Sequence, residues 1–154
     1  MRSIESLLAE YDESHGNPVN KTLHWICVPL IMFSLLGLLW YLRVPLPEAA
    51  PAVLNGAVIL IVFAMIYYVL IAPRLAAGML AVSVAMLALL YFLDQSALSL
   101  WKLSVAVFIL AWVGQFIGHK VEGRKPSFFK DVQFLLIGPL WLLAFVYRRF
   151  NIVF

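Results

Sequence analysis

Three histidines, His15, His24 and His119, lie at the ends of apolar stretches of this chain. Imidazole is the commonest side chain to hold a transition metal. Residues 25–118, between the second and third histidines, contain four apolar runs, each about as long as the ~20 residues that cross a bilayer. An even number of crossings returns the chain to the face it left, so His119 is expected to meet His15 and His24 there. Gln115, His119 and Glu122 fall at i, i+4 and i+7, along one face of a helix. Glu122 has three open roles: a metal ligand, the acceptor of a histidine ring proton, or the surface partner of Arg124 or Lys125. A lone histidine at a membrane interface is more often an amphipathic anchor, and it is the convergence of three that points to a metal.

The elements that must position these groups follow from composition. With 64% hydrophobic and 12% charged residues, against about 25% charged in an average soluble domain, the chain reads as an all-α integral membrane protein. Lipid requires every backbone polar group to be satisfied internally, and continuous apolar runs favour a helical bundle over the alternating strands of a barrel. A single domain over residues 1–154 is expected, with spans at about 23–42, 52–71, 75–93 and 100–117. A tight turn at Pro73-Arg74 makes the second and third spans antiparallel neighbours, and Gly78 with many alanines gives the third small surfaces for close helix packing. Lys102, at the start of the fourth, must snorkel to the interface. The last apolar run, 132–147, is short and interrupted by Gly138-Pro139. It reads as a re-entrant or interfacial helix pair or as a fifth span.

Ser3 to Tyr11 forms a short helix with Ser3 as N-cap and Glu5 in its first turn. Its apolar stripe of Ile4, Leu7, Leu8 and Tyr11 suits the interface or the side of the bundle. Asn17-Pro18 breaks any helix between the early histidines, leaving His15 in a loop and His24 near the start of the first span. The polar opening segment lacks the pattern of a signal peptide. The single Cys27 reads as a small packing residue. The net charge of +3 is too dispersed to suggest nucleic acid. A cytoplasmic N-terminus puts Arg2, Lys21, Arg74, Lys120, Arg124, Lys125 and Lys130 inside, against Arg43 and Lys102 outside. The positive-inside rule therefore favours cytoplasmic histidines, in a bacterial inner membrane or the endoplasmic reticulum.

Two segments carry a resemblance over nearly the whole chain. Tyr11, His15, Pro18, Asn20, His24 and Pro29 match one motif, and Trp112, Gln115, Phe116, Gly118, His119, Glu122 and Pro126 match a second. Gly138-Pro139 looks like a closing Leu-x-Pro region. Together they resemble the membrane 2-hydroxy fatty acid dioxygenases. Cys27, Val121 and Ser127 depart from that pattern without removing a candidate ligand. The resemblance implies an Fe(II)-dependent α-oxidation in which a 2-hydroxy fatty acid and dioxygen give the acid one carbon shorter. His15, His24 and His119 would be the metal ligands, with Glu122 and Lys21 as catalytic groups and Asn20, Lys21 and Gln115 binding substrate. The carboxylate and 2-hydroxyl would meet the metal and the acyl tail would lie between helices or in lipid.

Other classes remain open from the residues alone. A small transport or assembly protein would use the histidines only as helix-end anchors, but the spans carry no charged residue at mid-depth, where an ion pathway shows itself. A zinc hydrolase would use Glu122 as general base. A di-iron site of the His-rich desaturase type is excluded, since three histidines are too few. A homo-oligomer is compatible with the sequence and not required by it.

Overall fold

The computed structural model describes residues 2–42, 54–125 and 133–154. Arg43, the turn-rich segment after it, and Pro126 to Val132 lie outside the described residues. The rest forms helices α1 (Ile4–Asp12), α2 (Pro18–Trp40), α3 (Gly56–Ile71), α4 (Pro73–Asp94), α5 (Leu100–Glu122) and α6 (Phe134–Arg149). No strand occurs among the described residues. Helices α2, α4 and α5 are each long and apolar enough to cross a membrane, and α3 is a shorter apolar helix of 16 residues. The protein is thus an integral membrane bundle, as its composition requires.

Local chemistry explains where these helices start and stop. Ser3 caps α1 by accepting from Ser6 N–H at 3.2 Å, as expected. Asn17 caps α2 through Val19 N–H at 2.9 Å, and Pro18 takes the first helical position, where its missing N–H costs nothing. The turn between α3 and α4 is Ala72 alone, followed by Pro73 at the next helix start, which makes the two antiparallel neighbours. The expected end of the fourth span at 117 falls short of the helix end. Helix α5 runs on to Glu122 and stops at Gly123, whose φ of 73° is the left-handed C-cap conformation.

Helices α2 and α5 lie side by side, with small residues on α5 or α2 admitting bulk from the other. Gly37 of α2 receives the Ser104 side chain, Gly114 of α5 receives Cys27, and Gly118 receives the Asn20 amide. A Cβ on Gly114 would come 2.6 Å from Cys27 Sγ, which assigns the lone cysteine its packing role. Gly114 and Gly118 form a G-x-x-x-G pair, the spacing that lets membrane helices approach closely. Gly118→Ala is expected to overpack against Asn20 and cost about 1–3 kcal/mol, measured as a lower thermal midpoint in detergent.

The two ends of the bundle have separate cores. At the far end Leu36, Ala57, Leu90 and Leu100 are buried together. Trp40 Nε1–H (3.1 Å) and Tyr41 O–H (2.8 Å) both donate to Asp94 there, tying the end of α2 to that of α4. At the histidine end α1 and α6 pack over the α3–α4 turn, joining Leu7, Leu8 and Tyr11 to Tyr68, Leu75, Ile137 and Leu140.

Of the two readings of the last apolar run, a helix pair or a single span, α6 has the continuity of the second. It is continuous from Phe134 to Arg149 with Pro139 inside it and Gly138 buried beneath the Tyr11 phenol. A proline removes one helical hydrogen bond and does not end a helix that neighbours hold on both sides. Tyr68 O–H donates to the Leu136 carbonyl at 3.0 Å near its start, and Tyr147 O–H reaches the Arg74 carbonyl at 3.5 Å near its end. Gly78, expected to aid helix packing, meets this same Tyr147 and Leu143. Both ends of α6 therefore rest against the α3–α4 turn.

Candidate metal centre

His15 owes its place to a turn between two helices. After Asp12 the backbone closes with Ser14 N–H to the Tyr11 carbonyl (3.3 Å) and His15 N–H to the Asp12 carbonyl (3.0 Å). The His15 ring then stacks on Tyr11, with centroids 4.1 Å apart and planes 14° from parallel, and packs against Trp141 at 5.3 Å. Trp141 is held in turn by Nε1–H donation to Asp12 at 3.2 Å. His24 follows on the second turn of α2, and His119 stands in the last turn of α5.

The three rings meet edge to face in the buried interior, His15 fully buried and the others nearly so. Ring centroids are separated by 4.2 Å (His15–His24), 4.9 Å (His24–His119) and 5.2 Å (His15–His119). One nitrogen from each falls within 4.8 Å of the others. The early pair and the late histidine thus meet at one end of the bundle, as expected from the sequence.

Hydrogen bonding fixes the tautomers of two of these rings. His15 Nδ1 faces the Tyr11 carbonyl, and His24 Nδ1 faces the Asn20 carbonyl at 2.9 Å. A carbonyl only accepts, so each Nδ1 carries the proton and each Nε2 of the neutral rings is a bare lone pair. Those two Nε2 atoms are 2.9 Å apart. Two lone pairs at that distance repel unless a cation lies beside them. A proton is a poor candidate, because burial pushes the His15 imidazole below its ordinary pKa. A metal ion would relieve that repulsion, and imidazole nitrogens are common donors to one. His119 Nδ1 is buried without a hydrogen-bond partner, leaving that ring unsatisfied as well. Three imidazoles, two anchored by backbone carbonyls and the third with an orphaned nitrogen, could together hold a metal ion.

The Glu122 carboxylate faces the turn that carries His15. Its Oε1 accepts from Gly16 N–H at 2.9 Å, and its Oε2 accepts from Asn17 N–H at 2.9 Å and Asn20 Nδ2 at 3.1 Å. It is a latch that holds the His15 turn onto the end of α5. Asn20 completes the latch by donating also to the Ser14 carbonyl at 3.0 Å, while its own carbonyl orients His24. One asparagine therefore supports both early histidines.

A cavity of about 60 Å³ opens beside His24 and His119 between α2, α5 and α6. Gln115 lines it one turn from His119, and Tyr11, Trp112, Phe134 and Pro139 form other parts of its wall. Neither Lys21 nor Glu122 is among the described residues that line it. Lys21 stands half-buried in the first turn of α2, near enough for its charge to act on His15.

Reading by residue type overlooked Tyr11 and Trp141 as supports of His15, and the G-x-x-x-G pair that brings His119 against α2. The pair carries a readable spacing, and Tyr11 precedes His15 by four. Nothing local marks Trp141, which arrives from the other end of the chain.

The family model for Mpo1-like proteins, described as 2-hydroxy-palmitic acid dioxygenase Mpo1-like, matches residues 1–150. The 2-hydroxy-palmitic acid dioxygenase MPO1 of Saccharomyces cerevisiae is 30% identical over 142 residues, covering 91% of this chain and 77% of the yeast protein. No solved structure matches. The family match takes in all three clustered histidines and both segments of the resemblance seen in the sequence, and the chain belongs to the Mpo1-like family.

Proposed function

We propose that this protein is an Fe(II)-dependent dioxygenase that converts a 2-hydroxy fatty acid to the acid one carbon shorter. The observation that carries the reading is the pair of lone-pair-bearing nitrogens 2.9 Å apart within a buried three-histidine cluster. The name of the yeast relative supplies the substrate class. Imidazole donors suit Fe(II), and three protein ligands leave positions for substrate and dioxygen. Bound there, iron would supply the activation of dioxygen that this oxidation needs.

The protein's own residues bind, orient and exclude water. His15, His24 and His119 hold the ion, and Tyr11 and Asn20 fix the ring planes of the first two through backbone carbonyls. Gln115, in the cavity wall, is placed to hydrogen-bond the substrate hydroxyl or carboxylate. Lys21 gives the interface a positive charge that attracts an anionic head group. Glu122 serves the reaction at one remove, by latching the turn that carries His15. The apolar wall of Val28 and Phe134 keeps bulk water from the reacting carbons. The overall reaction balances without an added reductant when C1 leaves as carbon dioxide: oxidation of C2 from alcohol to acid together with release of C1 as carbon dioxide gives up four electrons, the number that dioxygen accepts, and one water forms.

The proposed setting is a four-span bundle with α6 lying along the histidine-bearing face. Support comes from the contacts of both α6 ends with the α3–α4 turn. The excess of lysine and arginine assigned to this face in the sequence supports a cytoplasmic orientation. A hydrolase with Glu122 as general base is disfavoured, because its carboxylate is occupied by three donors.

Anaerobically purified protein supplied with Fe(II) and 2-hydroxypalmitate is expected to consume dioxygen and release pentadecanoate, read by an oxygen electrode and mass spectrometry. Zinc retention with no oxygen uptake after iron loading would contradict the proposal.

A further inference from the structure

The cavity beside the histidines is too small for the substrate class it is proposed to serve. At about 60 Å³ it holds only a few water-sized groups, at ~10–15 Å³ for each. A 2-hydroxycarboxylate head and dioxygen fill such a space, and a long acyl tail has to leave it.

The wall shows where the tail can leave. Its polar members, His24, His119, Gln115 and Tyr11, are all buried. The apolar members behave differently: Ile31 and Met32 of α2 and Trp112 of α5 are half-buried, and Leu135 of α6 is 46% exposed. The same side chains therefore touch both the cavity and the outer surface of the bundle. One turn further along α2 lies exposed Leu35, and one turn back along α5 Phe108 meets Trp112 edge-on at 6.0 Å. Exposed apolar side chains of spanning helices face lipid tails. The opening thus leads sideways to the apolar flank of the spanning helices α2 and α5.

Building on the dioxygenase reading, we infer that the acyl tail leaves the site through a lateral portal framed by Ile31, Met32, Trp112 and Leu135, and lies in the bilayer. The enzyme then selects its substrate by the 2-hydroxycarboxylate head and by membrane residence. No wall in the protein measures the end of the chain. Long 2-hydroxy acids of different length are substrates alike at equal concentration in the membrane, and the tail's terminus is free to carry bulk.

Turnover in lipid nanodiscs tests this with 2-hydroxypalmitate, 2-hydroxylignocerate, a 2-hydroxy acid bearing a terminal pyrene, and 2-hydroxyhexanoate. Wild-type enzyme is expected to convert the three long substrates with kcat/KM equal within about threefold. Leu135→Trp and Ile31→Trp narrow the portal. Each is expected to lower long-chain kcat/KM by about 100-fold, the effect of misplacing a reacting carbon by ~1 Å, while sparing 2-hydroxyhexanoate. Leu110→Trp, at a 70% exposed position on α5 outside the cavity wall, controls for a bulky surface residue and changes nothing. Rejection of the pyrene or lignoceryl substrate by wild type overturns the portal and leaves the dioxygenase reading standing, as does an equal loss for long and short substrates in both tryptophan variants. If no 2-hydroxy acid is oxidised by iron-loaded wild type, the dioxygenase reading fails and the portal with it.

Discussion

His24→Ala is expected to abolish iron retention and reduce dioxygen uptake to background, while the protein still inserts and remains folded. His24 is the hub of the cluster: its Nε2 is 2.9 Å from that of His15, and its ring centroid is 4.9 Å from that of His119. Removing it leaves His15 and His119, with centroids 5.2 Å apart, as a two-ligand remnant. The helix itself is secured elsewhere, by Cys27 in the groove at Gly114 and by Ser104 in the groove at Gly37. Helix α2 therefore survives loss of one imidazole. Elemental analysis beside a chromatographic profile in detergent checks both halves, and added imidazole should restore part of the iron binding by filling the vacated space. His15→Ala and His119→Ala are expected to give the same loss of metal. A His24→Ala protein that keeps stoichiometric iron would mean that the ion sits elsewhere.

Glu122→Ala is expected to lower iron affinity and turnover by about 10–100-fold, the usual effect of losing an outer-sphere support. The carboxylate satisfies Gly16 N–H, Asn17 N–H and Asn20 Nδ2 at once, and its loss releases the turn that aims His15. Glu122→Gln keeps one accepting oxygen but presents an amide N–H₂ to N–H donors, so an intermediate effect is expected. Competition with a graded series of chelators reads the affinity directly, without depending on catalysis. Wild-type iron affinity in both variants would remove Glu122 from the support of His15. Loss of folding with unchanged affinity in the surviving fraction would do the same.

The histidine cluster was legible in the sequence because membrane crossings constrain topology strongly. Once apolar runs are counted, parity alone brings His119 to the face of His15 and His24, with no need to know how the helices pack. Helix ends were less legible. The charge of Lys120 and Glu122 marks where the lipid stops, but backbone hydrogen bonding carries α5 on until Gly123 can adopt its left-handed cap. Likewise α2 begins at Pro18, where Asn17 caps it, and its first turn is polar because it lies beyond the apolar run. The latch made by Glu122 was hidden for another reason. Its partners are two backbone amides and an asparagine about a hundred residues away, and pairing by charge suggested Arg124 or Lys125 instead. The continuity of α6 stays open in the sequence because glycine and proline weaken an isolated helix, whereas Tyr11, Tyr68 and Tyr147 pin this one along its length.

The X-ray absorption spectrum of the iron-loaded, anaerobic protein, taken together with its metal content, bears on all of this at once. About one iron per chain, with scattering from three imidazoles around it, is the predicted result. An iron site with no imidazole scattering, or a protein that takes up no iron at all under reducing conditions, would contradict the assignment of His15, His24 and His119 as the ligands.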